Sequence, residues 1–344
     1  MKMNYNTHTL ANGLRIIHLP SAQPVVYCGY AVGAGTRDEE LGREEGMAHF
    51  CEHITFKGTE RRSSMQILGH LESVGGDLNA FTNKEETVYH AAVLKENIDR
   101  AVDLLTDIVF HSTYPQAEID KEVEVIVDEI ESYNDSPAEL VYDLFENAVF
   151  GGHPLGHNIL GTAEKLRRYT TADALRFTRR YYRPENSVFF AYGDVDFQKL
   201  VRLLERANAA DAAAESVAAV SLPPQQQALC DEAAGCGGGK DTAAALLPPY
   251  VAQHIEHHMD THLAHVMLGT RAYDVHDERR IALYLLNNIL GGPGMTARLN
   301  VSLRERNALV YTVESMAQRY RDTGMWAVYF GCDPKNVKRC LRLI

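Results

Sequence analysis

A weak internal repeat constrains the fold of this chain more than any other feature. Val25 to Glu39 (VVYCGYAVGAGTRDE) resembles His265 to Glu278 (HVMLGTRAYDVHDE), and Asn79 to Ile108 resembles Tyr311 to Ile344. In each longer segment, two strand-like runs lead to an Asp or Asn and then to a helix, KENIDRAVDLLTDI in one and DPKNVKRCLRLI in the other. A duplicated α+β unit accounts for both matches. The second copy stops at Ile344, short of the extent of the first, so an incomplete second half is expected.

Apolar periodicity and turn residues place the elements. Alternation around Leu14 to Ile17 marks an early strand, and Val25 to Ala34 a second. Helices are expected over Glu45–Phe56, Ser64–Val74, Ile98–Phe110, Gln116–Tyr133 and Ala138–Phe150, with two strands between Leu78 and Leu94 and another at Ser187–Tyr192. From about residue 208 to 250 the chain is biased in Ala, Gly, Gln and Pro, with little periodic apolar content. That composition reads as a linker or poorly ordered insertion. The expected division is a first half over 1–207, a linker over 208–253 and a second half over 254–344.

The first half carries the chemistry. His49-Phe-Cys-Glu52-His53 sets two imidazoles at i and i+4 and a carboxylate at i+3, within one helical face. Two zinc ligands and a general base need that arrangement. The order His-x-x-Glu-His inverts the commoner His-Glu-x-x-His. The second copy has LYLLNNILGGPG at this place, so it has no metal chemistry of its own and serves only in binding. A catalytic zinc needs a third protein ligand. The densest run of carboxylates downstream is EVEVIVDEIE, where Glu122 and Glu129 stand seven apart on one helical face opposite Val123, Ile126, Val127 and Ile130. Spacing alone does not choose between these two carboxylates, and a solvated acidic face explains the run equally well.

The chain is identified by resemblance as a member of the inverzincin metallopeptidases, the family of pitrilysin, insulin-degrading enzyme and the mitochondrial processing peptidase β subunit, in its shorter, processing-peptidase-like branch. Beyond the metal motif, the resemblance rests on GMAHFCEHITFKGTERR, LESVGGDLNAFTNKEETVYHAAVL, EVEVIVDEIESYNDSP, FGGHPLGHNILGT and YYRPENSVFFAYGDVD, and more weakly on THLAHVMLGTRAYD and LRERNALVYTVES. It implies an α+β fold of two homologous halves, each a mainly antiparallel sheet packed with helices, facing each other as a clamshell. It also implies that His49, His53 and Glu129 bind one Zn2+ per chain and that Glu52 is the general base. Glu122 would orient a ligand, and Asn79-Ala80 would pair with substrate backbone. Arg304 and Tyr311 would reach the substrate carbonyl and stabilise the oxyanion. The expected activity is that of a zinc-dependent metalloendopeptidase acting on peptides or short unfolded polypeptides; a non-catalytic assembly or peptide-binding subunit of the same fold is the alternative. A homodimer, or a heterodimer with a related subunit, is the expected assembly.

Other features narrow the field. A net charge of -12 argues against nucleic acid as a partner. No apolar run reaches the roughly 18 residues that span a bilayer, and the first residues show no signal or transit pattern, so a cytoplasmic protein with no membrane partner is expected. The six cysteines include no C-x-x-C pair and read as reduced thiols, with Cys51 a buried bystander in the motif. The cluster HIEHHMDTH at 254–262 reads as a polar strand rather than a metal site. His153 and His157 lie in a Gly/Pro loop, which removes any helical meaning from their spacing, while His70 and His90 read as surface or core residues. Gly291-Gly-Pro-Gly294 lacks the Lys-Ser/Thr of a phosphate loop.

Overall fold

The computed structural model describes residues 4–218 and 247–344. It is an α+β structure with a six-stranded and a three-stranded sheet. The first sheet orders its strands β1 (Asn6–Thr9), β2 (Arg15–Pro20), β6 (Ser187–Gly193), β3 (Val25–Val32), β5 (Thr87–Leu94) and β4 (Asp77–Thr82). Every pairing is antiparallel except β2 with β6. Between the strands run α1 (Met47–Thr55), α2 (Ser64–Glu72), α3 (Ile98–Phe110), α4 (Gln116–Asn134), α5 (Pro137–Val149), the short α6 (Ala163–Leu166), α7 (Thr171–Tyr181) and α8 (Phe197–Ala218). Among the described residues, no helix is long and apolar enough to cross a membrane.

The second sheet is wholly antiparallel and orders β7 (Ala264–Ala272), β9 (Gly324–Cys332) and β8 (Val310–Arg319). A helix over Arg280–Gly291 follows β7, and another over Val337–Leu343 follows β9. The order β7-β9-β8 repeats β3-β5-β4 of the first sheet, with a helix after the equivalent strands. The repeat therefore reproduces topology as well as residues.

One glycine in each sheet carries the equivalence to atomic detail. Gly29 of β3 lies opposite His90 of β5, and Gly269 of β7 lies opposite Ala327 of β9. A Cβ on Gly29 would collide with the Tyr89 carbonyl oxygen and come to 2.8 Å from the Phe190 ring. On Gly269 it would collide with the Trp326 carbonyl oxygen and come to 2.9 Å from the Phe145 ring. In both, a side chain crosses the strand where only a hydrogen fits.

The contacts divide the described residues into two units. The first holds residues up to Ile126 together with those from Ile159 on through α8; the second holds Val127–Asn158 and the residues from Leu247 on. Val127–Asn158 thus groups with the second sheet, although it falls within the first 207 residues. Phe145 of α5 seats over Gly269, and Val149, Phe150 and Leu155 pack with Tyr320 and Met325. The Arg271 guanidinium donates to the Val149 carbonyl at 3.0 Å. In the first unit, Val26, Cys28, Tyr30 and Val32 of β3 meet Ala101, Leu104, Leu105 and Ile108 of α3 in a fully buried layer.

Two sequence expectations need correction. Residues 208–218 continue α8 instead of starting a linker, since the run NAADAAAESVA is rich in the strongest helix former; residues 219–246, with Cys230 and Cys236, lie outside the described residues. HIEHHMDTH forms no strand but an exposed irregular segment ahead of β7. Its alternate residues offer too little apolar surface to hold a strand against a neighbour.

Gly29→Ala should lower unfolding free energy by about 3 kcal/mol, the upper range for overpacking a rigid backbone contact. Urea unfolding monitored by far-UV circular dichroism, with an unchanged m-value, would measure it.

Candidate metal centre

The site grows from α1. This nine-residue helix buries Met47, Ala48, Phe50, Cys51 and Ile54 completely and leaves Glu52 and His53 half-buried. Its start is unusual. Gly46 stands ahead of the helix at φ 84°, where a Cβ would sit 2.7 Å from the Leu160 carbonyl oxygen. No side chain of α1 caps its own first turn. The buried carboxylate of Glu39 accepts the Gly46 N–H at 2.9 Å and the Ala48 N–H at 2.8 Å instead. A carboxylate there satisfies orphan donors and complements the positive end of the helix dipole. Beneath α1, the Thr55 hydroxyl donates to the Cys51 carbonyl at 2.7 Å and approaches the Tyr89 hydroxyl at 3.2 Å, which bonds Tyr182 at 2.9 Å.

His49 is buried and His53 half-buried, with ring centroids 4.6 Å apart. Glu129, on the solvent side of α4, completes a group whose potential ligand atoms all lie within 4.8 Å of one another. Val123, Ile126, Val127 and Ile130 take the buried side of the same helix. Two imidazoles and a carboxylate are a donor set suited to zinc with one position open. Glu122 takes a different place from Glu129. Its Oε1 lies 3.1 Å from His53 Nδ1 and its Oε2 2.6 Å from Lys57 Nζ. Donation of Nδ1–H to Glu122 selects the tautomer that carries its lone pair on Nε2, the form in which an imidazole ligates a metal. Burial pushes the Glu122 carboxyl upward, but the hydrogen bonds from His53 and Lys57 prevail and hold it below its ordinary range.

Glu52 is held by the Thr82 hydroxyl, which donates to its Oε2 at 2.6 Å. Thr82 and Ala80 share the inward face of β4, while Asn79 points the other way and is exposed. β4 is an edge strand of its sheet. The Ala80 N–H donates to the Asn79 side chain at 2.8 Å. Arg304 and Tyr311 belong to the second unit, where the guanidinium lies 5.4 Å from the phenol ring centroid. They line a cavity of about 410 Å³ with Asn300 and the loop Gly291–Gly294, and Tyr311 is 82% exposed. Cys51 is fully buried, and burial together with the Glu39 and Glu44 charges pushes its thiol well above the ordinary range. It stays protonated and inert as a nucleophile.

Sequence reasoning missed three residues. Lys57 stands four residues after His53, in the turn just past the end of α1, close enough in sequence for its charge to have been noticed. Thr82 follows Ala80 by two on a strand, which sets both on one face. Glu39 carries no such signal, because its contact with α1 is made by the path of the intervening loop. Among the histidines set aside, His153 and His157 flank a 3-10 turn at Pro154–Gly156. Among the described residues, His49, His53 and Glu129 form the one group of three or more such side chains placed to share a metal ion.

Glu39→Ala should cost about 2 kcal/mol, the range of a lost charge-assisted helix cap with buried donors left unpaired. Thermal unfolding would reveal it as a drop of several degrees, with amide exchange fastest at Gly46 and Ala48.

Two family models cover most of the chain. Insulinase (Peptidase family M16) matches residues 16–163, and Peptidase M16 inactive domain matches residues 168–344. An uncharacterized zinc protease of Streptomyces coelicolor is 35% identical over 97% of this chain and 69% of its own length. The uncharacterized zinc protease YmxG of Bacillus subtilis is 34% identical over 96% of this chain and 75% of its own. Among solved structures, a protease from Helicobacter pylori superposes with a TM-score of 0.81 at 22% identity, covering 99% of this chain and 79% of that one. The peptidase M16 inactive domain from Pseudomonas fluorescens gives 0.79 at 18%, covering 99% and 78%. These two establish likeness of fold; the family follows from the sequence matches. The chain belongs to peptidase family M16, the insulinase family.

Proposed function

We propose that this protein is a zinc-dependent metalloendopeptidase that hydrolyses peptides or short unfolded polypeptides. The observation that carries the reading is that the potential ligand atoms of His49, His53 and Glu129 lie within 4.8 Å of one another, with Glu52, on the helix of the two histidines, held by Thr82. The names of the Streptomyces and Bacillus relatives, both zinc proteases, agree with it. His49, His53 and Glu129 would hold one zinc per chain. A zinc ion bound there supplies Lewis-acid polarisation of a carbonyl and acidifies water.

The remaining steps belong to the protein's own side chains. Glu52 takes a proton from the attacking water and returns it to the leaving amine nitrogen. Thr82, donating to Glu52 Oε2, holds the carboxylate in place for that transfer. Glu122, tied down by Lys57, fixes the tautomer and orientation of His53. The edge of β4 at Asn79 and Ala80 takes the substrate backbone as an added strand. Arg304 and Tyr311 donate to the substrate carbonyl and stabilise the oxyanion.

Glu52→Gln should reduce cleavage of a quenched peptide about 100-fold or more, the scale of a lost general base, while leaving zinc content near that of the wild type. Glu129→Gln should lower zinc retention in metal analysis after dialysis, and cleavage with it. A chelator should stop wild-type cleavage, and added zinc should restore it. A wild-type protein that takes up no zinc and cleaves no member of a peptide library would overturn the reading.

A further inference from the structure

Three guanidiniums and an imidazole gather on the α2–α3 side of the first unit. Arg61, Arg62, Gln66, Gly69, His70 and Arg100 line a cavity of about 480 Å³. Arg61 pairs with Asp107 at 3.0 Å and with Asp103 at 3.4 Å, and Arg62 pairs with the same two carboxylates. Asp107 is fully buried and also accepts the Thr59 hydroxyl at 2.9 Å, so this carboxylate pair is committed to anchoring the two arginines.

Arg100 is different. Its hydrogen bonds both leave from Nη2, to the His70 carbonyl at 2.7 Å and the Ser73 hydroxyl at 3.2 Å. Among the described residues no carboxylate pairs with it, and its Nε is buried with no acceptor. His70 Nε2 is likewise buried with no partner. Burial, then the Arg62 and Arg100 charges, hold the imidazole below its ordinary range against the pull of Asp103 and Asp107. Gly69 adds room, since a Cβ there would meet nothing within 4 Å. A half-buried guanidinium such as that of Arg100, bonded only to neutral acceptors, is costly unless an anion joins it.

We propose that this cavity is a binding site for a phosphoryl oxyanion, seated against Arg100 and His70 with Arg61 and Arg62 at its rim. Guanidinium forks suit the oxygens of a phosphoryl group, with two parallel N–H donors each. The overall charge of -12 makes general attraction of anions to this protein unfavourable, so capture here is a local property of the three arginines. The site uses none of the residues assigned to peptide hydrolysis, and its occupancy is independent of that reading.

The test titrates inorganic phosphate into the full chain at constant ionic strength and pH, following thermal unfolding and the imidazole NMR signal of His70, assigned with His70→Gln. Parallel titrations use a nucleoside triphosphate and acetate. Saturable stabilisation by phosphate, a shift of the His70 signal, and an affinity at least tenfold weaker in Arg100→Gln are expected. Tighter binding of the triphosphate would assign the source as a nucleotide; equal or weaker binding would assign it as free phosphate. Should Arg100→Gln fold poorly, the wild-type His70 titration and Arg100→Lys decide. A linear response equal in wild type and variant, no response, or acetate binding as well as phosphate would overturn the proposal.

Discussion

The contact on which the candidate metal centre depends is the buried carboxylate of Glu39 against the first turn of α1. That helix has nine residues, too few to hold its shape in water by propensity alone. Its order comes from two sources: the apolar back formed by Met47, Phe50, Cys51 and Ile54, and the closure of its N-terminal donors by Glu39. Both lie behind the face that carries His49, Glu52 and His53. Anchoring of this kind lets His49 and His53 stand on a rigid element without being distorted by their own packing. The same logic appears one layer out, where Lys57 and Glu122 steady His53 and Thr82 steadies Glu52.

Duplication set the architecture, and divergence set the division of labour. The strand order β3-β5-β4 recurs as β7-β9-β8, down to a glycine on the first strand that admits a crossing aromatic ring. Each copy places a helix after its first strand, but the two helices have different surfaces. α1 carries two histidines and a glutamate on one face, while the helix Arg280–Gly291 leaves Ile281, Tyr284, Leu285 and Ile289 exposed. An unchanged backbone topology has thus carried a candidate metal centre in one copy and a largely apolar helix in the other.

Much of this was legible because it was local. The i, i+3, i+4 spacing of His49, Glu52 and His53 needs only a helix to bring the three to one face, and turn residues marked most element ends within a few positions. The polar run HIEHHMDTH misled because alternation resembles a strand whether or not a neighbour exists to pair with it. The Ala-rich stretch after residue 207 misled in the other direction, since low complexity can mark a helix as readily as a linker. Grouping Val127–Asn158 with the second sheet depended on packing of Phe145, Val149 and Phe150 at a separation no local pattern encodes.

Sequence alone determined that two carboxylates, Glu122 and Glu129, would share a helical face, because seven residues make two turns whatever surrounds them. Tertiary structure decided which one met which partner. The approach of α4 to α1 brings Glu122 against His53 Nδ1 and Lys57, and brings Glu129 into the group with both imidazoles. Helical periodicity fixes direction about an axis; it carries no information on where along that axis another helix will cross.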